Sequence, residues 1–68
     1  MIVNKSELIK ARFEKGMGQG EASKKSGISR ATLYRLETGT TSLANAKTIA
    51  KLALTYGKDV FTFLEEGD

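Results

Sequence analysis

Residues 19–39 read Gln-Gly-Glu-Ala-Ser-Lys-Lys-Ser-Gly-Ile-Ser-Arg-Ala-Thr-Leu-Tyr-Arg-Leu-Glu-Thr-Gly, and this stretch decides the fold. Gly27 stands where a helix over 19–26 needs a residue with positive φ to stop. Two residues on, the Ser29 hydroxyl is placed to accept from the free amides of a new first turn. The pattern predicts two short helices, 19–26 and 30–37, joined at a tight corner. Ala22, Ile28, Leu33 and Leu36 face one another across the joint, which leaves Arg30, Ala31, Thr32, Tyr34 and Arg35 pointing outward.

Outward from the corner, Asn4 with Glu7 fits an N-cap with an acidic third residue and predicts a helix over about 5–15. Leu8 and Ala11 would face the core with Arg12 beside them, and Met17 would plug the joint to the next helix. Ile9 and Phe13, four apart and one step round, are either surplus core or an exposed patch for another protein. Ser42 is read as the cap of a fourth helix over 43–56, with Leu43, Ala46, Ile49, Ala50 and Ala53 as its apolar stripe, widened by Leu52 and Tyr56. Its register leaves open a start nearer Asn45. Asp59 caps a fifth helix over 60–65, from which Val60, Phe63 and Leu64 reach the core and Phe61 does not. The last residues, Glu65 to Asp68, are expected to be solvated. The fold class is all-α: five helices in one small domain spanning residues 1–68.

With neither cysteine nor histidine in the chain, thiolate or imidazole metal sites and histidine acid–base chemistry are ruled out. No catalytic residue, metal or cofactor is expected, and no nucleophile has a base beside it. The chain lacks a membrane-length apolar run, and its first residues do not form a signal peptide, so a cytoplasmic protein without a membrane partner is expected. The net charge of +3 hides an asymmetry: through Lys58, eleven basic residues stand against four acidic ones, a surplus of +7, while the last ten residues are purely acidic in charge. A polyanion would feel the body of the domain.

The glycine corner, Gln19 opening the first helix of the pair and the close Leu36-Glu37-Thr38-Gly39 resemble the lambda-repressor and Cro-like, XRE-type helix-turn-helix family, and with the flanks the resemblance covers nearly the whole chain. It implies that the helix over 30–37 enters the major groove of double-stranded DNA, with Arg30, Ala31, Tyr34 and Arg35 reading bases. It also implies phosphate contacts from Gln19, with Ser29, Thr32, Thr38, Thr40 and Thr41 as further grips. Arg12 would pair with Glu37 in a structural ion pair.

Gly20, Ser23, Ser26, Phe61 and Lys58 depart from the family pattern, and the first three make the helix over 19–26 the expected weak point. The resulting expectation is a repressor that acts as a homodimer on a palindromic operator, with Phe61 as dimer anchor. Ile9, Phe13 and Phe61 motivate the alternative of an antitoxin-type regulator that also binds a partner protein. A protein-interaction module without DNA binding is the reading from a different class, and the basic body argues against it.

Overall fold

The structure, a computed structural model, describes residues 1–65. The expectation for Glu66, Gly67 and Asp68 lies outside the described residues. Four α-helices, α1 (Lys5–Glu14), α2 (Gln19–Ser26), α3 (Arg30–Thr38) and α4 (Ala46–Tyr56), are followed by one 3-10 turn, Val60–Phe63. The five-helix expectation is corrected accordingly, and the all-α class stands.

Every start except that of α2 has a side-chain cap. The Asn4 side chain accepts from the Glu7 amide at 3.3 Å, Ser29 from Thr32 at 3.2 Å, Asn45 from Thr48 at 2.8 Å and Asp59 from Phe61 at 2.9 Å. At the corner, Gly27 ends α2 with φ 75°, in the left-handed region where a Cβ is costly.

The core draws on every element. Leu8, Leu33, Leu36, Ile49, Leu52, Tyr56 and Phe63 are the large side chains fully enclosed in it. On α4 the buried set is Ile49, Leu52, Ala53 and Tyr56, the three- and four-residue steps of one helical face. Tyr56 meets Phe63 edge-on, with ring centroids 6.0 Å apart.

Two helix boundaries depart from the expected ones for one shared reason: α4 takes the later start, capped by Asn45, that its register left open, and the helix over 60–65 is cut short. Met1–Asn4 is extended and runs between two other extended segments. On one side Val3 N–H donates to Ser42 O at 2.8 Å and Ala44 N–H to Met1 O at 3.0 Å. On the other, Asn4 N–H donates to Phe63 O at 2.8 Å and Glu65 N–H to Ile2 O at 2.9 Å.

Backbone groups of residues 42–44 are therefore committed to the N-terminal segment and cannot enter α4, which starts at Ala46 with Asn45, not Ser42, as its cap. Leu43, Ala46 and Ala50, expected in the core stripe, are exposed. The predicted helix over 60–65 shortens likewise to the 3-10 turn, because Leu64 and Glu65 must be extended to pair. Val3 is buried in this arrangement.

The serines of α2 offset the poor helix formers there. Ser23 Oγ donates to Ile28 O at 2.7 Å, and Ser26 Oγ accepts from Ile28 N–H at 3.1 Å. Both backbone groups of the corner residue Ile28 are thus held by α2 side chains, and the corner is braced where an apolar side chain would leave them unpaired.

Candidate nucleic-acid interface

Arg30, Ala31, Tyr34 and Arg35 occupy positions i, i+1, i+4 and i+5 of α3, which is one side of a helix, and all four are exposed. Together with Gln19 of α2 they line a single shallow hollow. The opposite side of α3 carries Leu33, Leu36 and Glu37, all buried. The polar face is therefore turned outward by the same amphipathicity that anchors the helix.

Glu37 is the fixed point behind this face. Arg12 Nε donates to Glu37 Oε2 and Arg12 Nη2 to Glu37 Oε1, each at 2.8 Å, and Arg12 Nη1 donates to Met17 O at 3.0 Å. The hydrogen bonds that Arg12 donates to Glu37 hold the Arg12 pKa above its usual value, against the lowering effect of burial. Gln19 Nε2 donates to Glu37 Oε1 at 3.1 Å. One carboxylate thus ties α1, the α1–α2 link, the first residue of α2 and the last turn of α3 into one frame.

The hydroxyl residues hold one another. Ser29 Oγ donates to Thr32 Oγ1 at 2.8 Å, while Thr38 Oγ1 donates to Tyr34 O at 2.9 Å and lies 3.0 Å from Thr40 Oγ1. Thr41 is half-buried, its amide donating to Arg35 O at 3.2 Å. Thr32 and Thr41 border a second hollow beside Arg35, with Asn45 and Thr48 at the amino end of α4 across from them. Asn45 and Thr48 are absent from the sequence-derived site; an Asn followed three residues on by Thr is their local signal, but Ser42 competed for the cap.

The apolar candidates divide. Phe61 and Phe13 are 79% and 67% exposed, and the Arg12 guanidinium lies 4.8 Å from the Phe13 ring centroid. Ile9 is half-buried, so it contributes less to any patch than Phe13.

Lys58 meets Glu14 at 3.1 Å, which explains a lysine where the family pattern has an apolar residue. Among the described residues no group of acidic side chains is arranged to hold a metal ion. No described helix is long and apolar enough to cross a membrane.

A short helix held by a glycine corner across a second one, its outer face polar and its inner face in the core, defines a helix-turn-helix domain. The chain belongs to the helix-turn-helix family of Cro-like regulators, whose family model matches residues 8–63. No curated protein and no solved structure matches it at comparable significance. The family is one of DNA-binding regulators, and membership implies double-stranded DNA as the partner.

Proposed function

We propose that this protein is a sequence-specific repressor that binds a palindromic operator as a homodimer and acts by occupying it. The observation that carries the reading is the grouping of Gln19, Arg30, Ala31, Tyr34 and Arg35 around one exposed hollow. Arg30 stands in the first turn of α3, the end that such domains direct at base edges. Its fork matches the O6 and N7 acceptors of guanine, and the Ala31 methyl fits against a thymine methyl, so each half-site contains at least one guanine.

Gln19 uses one amide N–H on Glu37 and has a second for a phosphate oxygen. The phosphate grip is thereby aimed from a fixed base, which sets register without reading sequence. Thr38, Thr40 and Thr41 supply polar groups at the far end of α3. A domain of this size covers few base pairs, and two copies about one helical turn apart supply the remaining specificity. Phe61 is the anchor of the surface between them.

Selection of bound duplexes from a random library, at two salt concentrations, tests this reading. A recurring inverted repeat with guanine in each half is the expected result. Arg30→Ala should relax preference at one position; if it lowers affinity equally for all duplexes, Arg30 is a phosphate contact and the base-reading assignment is wrong.

A further inference from the structure

Gly20, the second residue of α2, lies against the Arg30 guanidinium. A Cβ built there would sit 3.8 Å from Arg30 Nη1 and 4.0 Å from Arg30 Cζ. That distance is ordinary contact: a methyl fits, and a side chain that continues beyond Cβ meets the guanidinium.

Gly20 does not have a left-handed φ, and glycine within a helix forfeits helix propensity relative to alanine. The backbone thus gives no reason for glycine at this position, whereas the neighbouring guanidinium opposes any side chain longer than a methyl. No side chain among the described residues caps the amino end of α2, since Gly18 is its N-cap. Arg30 lies against the first turn of α2 at Gly20, the one position there without a side chain.

We propose that Gly20 determines specificity through Arg30, as a positioning residue: the missing side chain is the shelf that sets the direction of the guanidinium fork. An arginine side chain is long and flexible, and its bidentate match to guanine depends on the plane and direction of its fork. A flat surface under the guanidinium restricts both before DNA arrives. Filling the shelf turns the fork away from α2, toward a different base edge or a phosphate. The inference rests on the base-reading role of Arg30.

The test uses Gly20→Ala, Gly20→Leu, Arg30→Ala and the Gly20→Leu/Arg30→Ala double variant, each checked for folding by circular dichroism. Base preference is then read at every half-site position by duplex selection. Gly20→Leu should lower discrimination about tenfold at the position that Arg30→Ala relaxes, the scale of one bidentate contact. Gly20→Ala should do so by less, and in the Arg30→Ala background Gly20→Leu should have no further effect at that position. If the leucine variant does not fold, Gly20→Gln, a good helix former of similar length, replaces it.

A uniform loss of affinity for all duplexes, persisting in the Arg30→Ala background, would overturn the proposal, because Gly20 would then serve only close approach of the DNA backbone. Arg30→Ala relaxing one position while Gly20→Leu leaves it intact would sink the Gly20 proposal alone. Arg30→Ala leaving every position intact would remove the base-reading assignment and the proposal together.

Discussion

Arg12 and Glu37, 25 residues apart in the chain, meet through two parallel hydrogen bonds of 2.8 Å, with side chains only 10% and 3% exposed. The pair is bidentate and largely buried, so removing one partner strands a poorly hydrated charge. Arg12→Met or Glu37→Leu should each cost about 3–5 kcal/mol in urea unfolding, and the double variant should recover a large part of the loss. If the single losses simply add in the double variant, the pair is not coupled in the way its geometry implies.

Tyr56 offers the opposite case. Its ring is fully buried, and its hydroxyl has no hydrogen-bond partner among the described residues. Tyr56→Phe should therefore stabilise the domain, by about 1 kcal/mol. Burial, reinforced by the negative charge of Glu37 and opposed by Arg12, pushes the Tyr56 pKa up to about 12. Between pH 10 and 12 the unfolded chain ionises this tyrosine while the folded one keeps it neutral. Stability is thus insensitive to this group below pH 10 and falls as pH rises toward 12, with a slope of at most about 1.4 kcal/mol per pH unit. Denaturant melts across that window should show a steeper decline in the parent than in Tyr56→Phe.

The corner gives a third measurement. Ser23→Ala removes the 2.7 Å bond to Ile28 O and should cost about 1 kcal/mol by leaving a partly buried carbonyl without its partner. At Gly27 nothing lies within 4 Å of an added Cβ, so Gly27→Ala reports backbone strain alone, about 1–2 kcal/mol. A Ser23→Ala variant as stable as the parent would show that the serine brace contributes nothing to α2.

Self-association supplies a fourth. Phe61 is the most exposed aromatic side chain among the described residues and does not join the core. Phe61→Ser should leave the melting temperature nearly unchanged while weakening dimerisation on an operator, seen as loss of cooperative binding in gel-shift titrations. Cooperative binding that survives the substitution would move the dimer surface elsewhere and favour a separate partner protein for Phe61 and Phe13.

The helix pair was readable in the chain because its signals are local: Gly27 needs only its own φ, Ser29 only the amide of Thr32, and the outward set 30, 31, 34 and 35 only helical spacing. The same locality left the start of α4 undecided between Ser42 and Asn45. Ser42 and Asn45 are both acceptable caps, and the choice falls to Asn45 because the backbone of residues 42–44 pairs with Met1–Asn4, a contact across some forty positions.

The sequence by itself determined the class of fold, the corner and which face of α3 is polar, since these follow from periodicity and from single-residue conformational preference. The tertiary structure alone decided the extended N-terminal segment, the hold of Glu37 on Gln19, and the contact between Gly20 and Arg30. Each of these joins residues on different elements, and such contacts depend on how helices are set against one another in space, which no local pattern encodes.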